Sequence, residues 1–242
     1  MIRAALLLLY FAIYTMVAAL IGFPVMFATG SIRFLYKIAV RGALFGTRLV
    51  GVRTETVGRE RLDPRQTYIF MANHVSNIDP PVFVPLLGRR VFILVKKELF
   101  RIPVLGYAMR KAQFIAVDRQ NRDAAVESVK KAVDVLRTGL SMMAYPEGTR
   151  SRDGKLLPFK KGPFHLAMDS GIPVVPVTII GAHEVWPKGH FHITPGKITI
   201  VFHPAMDPGA FGSREELMQA VRAKIESALP EQYRSTSTSL PQ

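Results

Sequence analysis

The sequence predicts an α/β protein: a layered domain with a largely parallel or mixed central sheet flanked by helices, preceded by an N-terminal membrane-attached helical segment. Two observations indicate this fold. Short apolar runs alternate with helix-like stretches between about residues 51 and 230, as in layered α/β domains. The stretch from Ala4 to Ile32 contains no charged residue. We therefore divide the chain into a membrane-embedded helical segment at 1–50, a domain at 51–230 and a flexible tail at 231–242.

The N-terminal segment is long enough for a membrane helix. Ala4–Phe23 supplies the roughly 20 apolar residues that a helix needs to cross a bilayer core, and Pro24 is expected to kink or end that helix. Three interpretations stay open: a single span with the following basic residues on the cytoplasmic side, a kinked hairpin inserted into one leaflet, and a cleaved signal peptide. We expect the protein at the inner (cytoplasmic) membrane with its active site on the cytoplasmic side.

Six apolar runs predict strands, and three amphipathic or capped stretches predict helices. The continuous apolar character of most runs is typical of strands buried on both faces. The predicted strands are Thr67–Ala72, Val91–Val95, Gln113–Val117, Ser141–Tyr145, Val174–Ile180 and Lys197–Phe202. The predicted helices are an apolar stripe from Ala125 to Leu136, a stretch at Pro163–Ser170 closed by Gly171, and one that opens on the capping-box pattern Ser213–Glu216.

Three chemically distinctive segments each come after a predicted strand. His74 follows the first strand, Arg119 follows the third, and the string Tyr145–Ser151 begins where the fourth ends. In open α/β sheets, active sites form outside the carboxyl ends of the strands. If these strands are parallel neighbours, all three segments lie at one edge of the sheet.

His74 and Asp79 form the first of these segments. Histidine can take a proton from an alcohol near neutral pH, and a carboxylate partner fixes the tautomer of its ring. The separation of five residues suits a strand-to-helix turn rather than one helical face. Asp79 also precedes Pro80, so an N-cap role is the structural alternative, and the two roles can coexist.

The string Tyr145-Pro146-Glu147-Gly148-Thr149-Arg150-Ser151 is the second segment. Gly148 permits a positive φ or a close backbone approach, and Arg150 offers a planar donor fork that suits phosphate oxygens. Glu147 either orients Arg150 or is only solvated. A turn with a surface arginine is the alternative, but the position at a strand end favours a binding loop.

Other basic residues could complete a phosphate site. Arg119 either contacts phosphate or pairs only with a neighbouring carboxylate. Lys96, Lys97, Lys160 and Lys161 could also contribute, although each one alone is typical of a solvated surface. The net charge of +14 indicates an anionic partner, which is a membrane surface, a phosphate-bearing substrate or nucleic acid.

Several kinds of site are not supported by the sequence. No G-x-S-x-G string is present, so we predict neither a serine nucleophile nor an acyl-enzyme. The chain has no cysteine and its histidines lack ligand spacing, so we predict no metal and no disulfide. No P-loop or G-x-G-x-x-G occurs. We also predict no nucleic-acid partner, because no basic motif with interleaved aromatics is found.

These segments resemble the signature blocks of the glycerolipid acyltransferase family. Asn73-His74, with Asp79 five residues after the histidine, resembles the first block, and Tyr145–Ser151 resembles the third. The other matches are Phe114–Arg119 for the second block, Leu157–Gly162 between the third and fourth, and Ile172–Val177 for the fourth. Order and spacing agree over about residues 68–180. The sequence departs at Gln113, where the second block often has glycine.

The resemblance implies roles for particular residues. His74 is then the general base, and Asp79 orients it. Glycerol phosphate is then bound by Arg119, Gly148 and Arg150, with help from Lys96 or Lys97, and we add Glu147 and Thr149 to the predicted substrate-binding set. No cofactor is implied.

The resemblance also implies a reaction. An acyl chain moves from acyl-CoA or an acyl-carrier-protein thioester, the co-substrate, to the sn-2 hydroxyl of lysophosphatidic acid, giving phosphatidic acid. Membrane lipids are further implied partners. Two alternatives stay open: acyl transfer to another acceptor, such as glycerol 3-phosphate or a lyso-aminolipid, and a non-catalytic basic membrane-binding protein.

Overall fold

The computed structural model describes residues 1–117 and 122–234, apart from the side chains of 104 and 122–126. Its helices are α1 Ile2–Thr29, α2 Arg33–Leu49, α3 Asp79–Leu86, α4 Pro103–Lys111, α5 Arg122–Arg137, α6 Gly162–Ser170, α7 Ala182–Val185 and α8 Arg214–Ala228. Its strands are β1 Val52–Val57, β2 Ile69–Ala72, β3 Val91–Lys96, β4 Ile115–Val117, β5 Ser141–Ala144, β6 Val174–Ile180 and β7 Gly196–Phe202. Short 3₁₀ turns cover Arg59–Arg61, Lys97–Arg101, Pro208–Ala210 and Glu231–Tyr233.

The seven strands form one mixed sheet in the order β1-β7-β6-β2-β5-β3-β4. All neighbours are parallel except β6 and β7. The predicted α/β class with a largely parallel or mixed sheet is therefore confirmed. Because β2 lies between β5 and β6, Met71 pairs with both Ala144 and Pro176, which places the carboxyl ends of these strands side by side.

The predicted strands all appear, with small shifts at their ends. The strand predicted to start at Gln113 starts at Ile115 instead, and Gln113 takes a positive φ of 63° that a strand does not allow. Strand β1 was not predicted from the sequence. This edge strand, Val52–Val57, is buried only at Val52, and its four central residues are polar, so it has no continuous apolar run.

Apolar layers cover both faces of the sheet. On one face, α3 and the first turns of α1 pack in a core that includes Leu7, Phe70, Phe83 and Phe202. On the other face, the core includes buried residues of three helices: Leu136 from α5, Phe164 from α6, and Leu217, Val221 and Ile225 from α8.

The predicted helix ends are also confirmed. The Ser213 hydroxyl accepts a hydrogen bond from the Glu216 N–H, which is half of a capping box. The Glu216 carboxylate bonds the N–H of Gly212 rather than that of Ser213. Gly171 closes α6 with a φ of 65°, the left-handed conformation that glycine adopts readily.

The first two helices form a hairpin that tyrosines and glycines hold together. The Tyr14 hydroxyl donates to the Ile38 carbonyl and the Tyr10 hydroxyl to the Gly42 carbonyl. A Cβ atom at Gly42 would lie 2.0 Å from the Tyr14 ring, so the close contact requires glycine. Of the two expected effects of Pro24, ending the first helix is ruled out, because α1 continues through it to Thr29; a kink there stays a prediction.

Helix α1 is long and apolar enough to cross a membrane, as judged by its length and composition alone. Only 17% of its most apolar window is buried, whereas a core helix of a soluble protein would be mostly buried. A signal sequence near the N-terminus would meet the same criterion. The hairpin fills residues 2–49 and β1 begins at Val52; the predicted division near residue 50 stays a prediction.

Candidate active site

His74 and Asp79 meet in the turn between β2 and α3. His74 Nδ1 lies 2.7 Å from Asp79 Oδ2. The Asp79 side chain is fully buried, and that of His74 is 16% exposed. A carboxylate oxygen can only accept, so Nδ1 carries the hydrogen and Nε2 of a neutral ring keeps its lone pair. The imidazole can therefore accept a proton at Nε2.

Asp79 also holds the loop that leads to it. Its Oδ2 accepts hydrogen bonds from the N–H groups of Val75 and Ser76, both at 2.8 Å. Helix α3 begins at Asp79 itself, with Ile78 at the N-cap and no side-chain cap. The alternative N-cap role is therefore absent, because the carboxylate turns back to the loop rather than to the first turn of the helix.

Glu147 is a buried carboxyl group that ties three loops together. Its Oε1 accepts from the His74 N–H at 2.6 Å, and its Oε2 accepts from the Leu157 N–H at 2.8 Å. The Ser151 N–H donates to the His74 carbonyl, so both polar groups of the His74 backbone are held. Burial and, to a smaller extent, the nearby Asp79 charge raise the pKa of Glu147 to about 8, against the opposing effects of the two N–H donors and of Arg222.

Tyr145 covers one face of the His74 ring. The two ring centroids are 3.9 Å apart and the ring planes differ by 11°. Burial raises the pKa of the Tyr145 phenol well above its ordinary value, so the ring stays neutral. Its hydroxyl is buried and has no hydrogen-bond partner among the described residues. The position of the tyrosine is therefore explained by the stacking contact rather than by its hydroxyl.

The loop after Glu147 turns at Gly148 and presents Thr149 and Arg150. Gly148 has a φ of 70°, a conformation that favours glycine. The Arg150 guanidinium makes no hydrogen bond or ion pair within the described part of the chain, which leaves its donor fork available. The Lys188 ammonium donates to the Arg150 carbonyl at 2.7 Å and to the Thr149 hydroxyl at 3.2 Å, and so braces this loop.

A hydrogen bond fixes the Lys188 segment against the His74 loop. The Ser76 hydroxyl donates to the Trp186 carbonyl at 2.6 Å, and Ser76 forms a β-bridge with Pro187. Lys188 follows directly. Lys188 could not be recognised from the sequence, because its place in the site depends on a contact between residues 110 positions apart.

The remaining predicted residues lie at the same edge of the sheet or outside the described residues. Lys96 is the last residue of β3 and Lys97 the next, and both are exposed. Because β3 runs parallel to β5, Lys96 and Lys97 lie at the same edge of the sheet as Tyr145, which follows β5. Arg119 lies outside the described residues. In the described part of the chain, no three His, Cys, Asp or Glu side chains are placed to hold a metal ion.

The structure thus brings together two of the three segments that the sequence singled out. His74, Asp79, Glu147 and the Arg150 loop are joined by direct hydrogen bonds. The arrangement offers a histidine base with a fixed tautomer beside a loop whose guanidinium has no partner among the described residues. The substrate-binding roles of Glu147, Gly148, Thr149 and Arg150 stay predictions, and the contacts of Glu147 support a structural role for that residue.

The comparisons with known proteins agree with this arrangement. The family model described as Acyltransferase matches residues 53–180, a range that includes His74, Asp79, Glu147 and Arg150 but not Lys188. The chain belongs to this acyltransferase family, and the predicted family resemblance is confirmed.

The relatives specify the kind of acyltransferase that the chain is similar to. It is 41% identical over 160 residues to a 1-acyl-sn-glycerol-3-phosphate acyltransferase of Limnanthes douglasii, a match that covers 66% of this chain and 56% of that protein. It is 30% identical to one of Borreliella burgdorferi, over 73% of this chain and 72% of the relative. The chain spans little more than half the length of the plant relative.

A solved structure supports the same comparison. The crystal structure of PlsC, the 1-acyl-sn-glycerophosphate (LPA) acyltransferase from Thermotoga maritima, superposes with a TM-score of 0.79 at 31% sequence identity. The match covers 93% of this chain and 94% of that one. The hairpin and the sheet domain therefore both have counterparts in a known acyltransferase.

Proposed function

We propose that this protein transfers an acyl chain from a thioester to the sn-2 hydroxyl of lysophosphatidic acid, giving phosphatidic acid. The main observation behind the proposal is the His74–Asp79 pair, with its 2.7 Å contact, at the carboxyl edge of the sheet. The relatives named above support lysophosphatidic acid as the acceptor. The runner-up acceptors are glycerol 3-phosphate and a lyso-aminolipid.

The proposed reaction is a direct transfer. His74 Nε2 takes the proton of the acceptor hydroxyl as the hydroxyl oxygen bonds to the thioester carbon. The carbon–sulfur bond breaks, and the thiolate leaves and takes up the proton. Asp79 stabilises the imidazolium that exists between the two proton transfers. The imidazole must keep its orientation throughout, which is the role that we assign to Glu147 and the Tyr145 ring.

Basic residues at the same edge are proposed to bind the acceptor phosphate and so place its hydroxyl near His74. Arg150 supports this proposal best, because the residue is half-buried and its guanidinium has no partner in the described part of the chain. Arg119, Lys96 and Lys97 are assigned by the family resemblance and by their positions after strands. The Lys188 contacts would keep the Arg150 backbone in place.

We also propose that the protein works at the cytoplasmic membrane with its site on the cytoplasmic side, and that the donor is acyl-CoA or an acyl-carrier-protein thioester. The apolar α1 and the basic residues that follow it in α2 support a membrane location with that orientation. Purified protein given each donor separately would distinguish the two.

An acceptor panel tests the function. Thiol release from acyl-CoA is measured with lysophosphatidic acid, glycerol 3-phosphate, lysophosphatidylethanolamine or no acceptor. We expect release chiefly with lysophosphatidic acid, with phosphatidic acid as the product. Preference for another acceptor would contradict the proposed substrate, and release that is independent of every acceptor would contradict acyl transfer.

A histidine pair tests the mechanism. His74→Ala should abolish turnover and leave binding of lysophosphatidic acid largely intact, because the base does not hold the phosphate. His165→Ala is the matched control, since His165 is an exposed histidine in α6. Near-native turnover in His74→Ala would remove His74 from the reaction.

A further inference from the structure

We propose that the segment 96–111, which contains the 3₁₀ turn Lys97–Arg101 and helix α4, is a second lipid-contacting surface, and that an anionic bilayer is its partner. Three large apolar side chains of this segment point outward. Leu99 is 39% exposed, Ile102 47% and Leu105 44%. Leu99 lies in the turn, Leu105 in the helix, and Ile102 at the extended junction between them, with φ −70° and ψ 115°.

The turn and the helix form one unit. The Gly106 N–H donates to the Ile102 carbonyl at 2.6 Å, and a Cβ atom at Gly106 would lie 2.2 Å from the Phe100 carbonyl oxygen. The turn is therefore folded tightly against α4. The outward apolar side chains before and after Ile102 consequently belong to one surface rather than to two mobile pieces.

This surface is continuous with the apolar face of α1. The Tyr107 ring of α4 stacks on Phe27 with centroids 5.4 Å apart and lies 6.3 Å from Phe23. Phe27 is itself 67% exposed. Further large apolar side chains are exposed along α1, namely Ile2, Leu6, Leu8, Leu9, Ile13, Met16, Val17, Leu20 and Ile21. A partner that covers α1 would therefore also reach α4.

The charges around the surface indicate that this partner is an anionic lipid surface. Segment 96–111 contains one acidic residue, Glu98, and five exposed basic residues: Lys96, Lys97, Arg101, Arg110 and Lys111. The Lys111 ammonium lies 5.8 Å from the centre of the Tyr107 ring. Apolar side chains bordered by cations and an aromatic ring are typical of helices that lie in a membrane interface.

The location connects this surface with the active site. Strand β3 leads into the segment. Its last residue, Lys96, lies at the carboxyl edge of the sheet, where His74 also lies. A bilayer against α4 would place this edge near the lipid headgroups. This last step rests on the proposed function, whereas the lipid contact itself does not.

Single-cysteine labelling tests the contact, because the chain has no native cysteine to compete for the label. An environment-sensitive fluorophore is attached to Ile102→Cys or Leu105→Cys in the full-length protein. Leu20→Cys, in α1, is the positive control. Val57→Cys, at the end of β1 and 45% exposed, is the matched control away from the surface. Each protein is diluted from detergent into vesicles of phosphatidylglycerol and phosphatidylcholine, or of phosphatidylcholine alone.

We expect blue-shifted emission and quenching by brominated acyl chains at positions 102, 105 and 20, but not at 57. The shift should saturate at lower lipid concentration on the anionic vesicles. An aqueous spectrum at 102 and 105 beside a shifted spectrum at 20 would overturn the proposal. A shift that appears without lipid and grows with protein concentration would overturn it as well, because the partner would then be a second copy of the chain.

A second variant separates this inference from the proposed function. The double substitution Ile102→Ser and Leu105→Ser should weaken vesicle binding by about tenfold or more, as expected for loss of two buried aliphatic side chains. Turnover in detergent micelles should be retained. Unchanged vesicle binding would count against the surface, whereas failure of the acceptor panel would count only against the reaction.

Discussion

The carboxyl group of Glu147 gives the structure a pH dependence that a single substitution isolates. It is buried, with 1% of the residue exposed, and it holds the His74 and Leu157 N–H groups. Its pKa is about 8 in the folded chain, compared with the ordinary value of 4.5. Glu147→Gln keeps the shape and removes the titration. Because one amide oxygen replaces two acceptors, the variant also loses about 1–3 kcal/mol at every pH.

The direction of this pH dependence follows from the proton that Glu147 takes up on folding. Between pH 4.5 and 8 the folded chain holds a proton on Glu147 that the unfolded chain has lost. The stabilisation from this raised pKa is therefore complete below pH 4.5 and disappears as the pH rises through 8. The free energy of unfolding of the native protein should fall by up to about 1.4 kcal/mol per pH unit, and on the order of 5 kcal/mol in total, relative to the variant.

Thermal unfolding in detergent at several values between pH 5 and pH 8.5 measures this difference. The native protein should be the more stable one at pH 5, and the two unfolding temperatures should converge and then cross as the pH rises. The other titrating groups are common to both proteins, so their effects cancel in the comparison. A difference between the two proteins that does not change with pH would refute the raised pKa.

Three further substitutions test other contacts. Tyr145→Leu removes the ring stacked on His74 and should lower kcat by about tenfold with little change in KM. The control Tyr145→Phe keeps the ring and should retain near-native kcat. Equal kcat values in the two variants would exclude the stacking role. Arg150→Ala should raise the KM for the phosphorylated acceptor by about tenfold or more. Substitution of its exposed neighbour, Arg152→Ala, should not. An unchanged KM in Arg150→Ala would remove Arg150 from the phosphate site. Gly42→Ala should lower the unfolding temperature through a clash with Tyr14 that costs about 1–3 kcal/mol. The control Gly162→Ala, at a position with open space around it, should not. Equal unfolding temperatures for the two variants would show that the hairpin tolerates a Cβ atom.

Much of the fold could be predicted from the sequence, because buried strands of this domain are short apolar runs. Val174–Ile180 was predicted with its observed ends. The edge strand β1 was missed because four polar residues separate Val52 from Val57, which leaves no continuous apolar run. The extent of α1 past Pro24 was also missed. A proline can be accommodated within an apolar helix where other groups satisfy the freed carbonyl.

The site was predictable in part. His74 and Asp79 are five residues apart, so their contact depends on one local turn. Glu147 was expected to orient Arg150 or to face solvent, and the structure instead places both of its oxygens on backbone N–H groups. That outcome depends on the pairing of β2 with β5, which the sequence does not specify.

The sequence by itself determined which residue types follow the strands, the base with its carboxylate partner, and the apolar character of the first helix. These features follow from local spacing and composition. Only the tertiary structure decided that Tyr145 stacks on His74, that Lys188 braces the Arg150 loop, and that α4 lies against the end of α1. The reason is physical: these contacts join segments far apart in the chain, and strand order and helix packing, rather than local preference, bring such segments together.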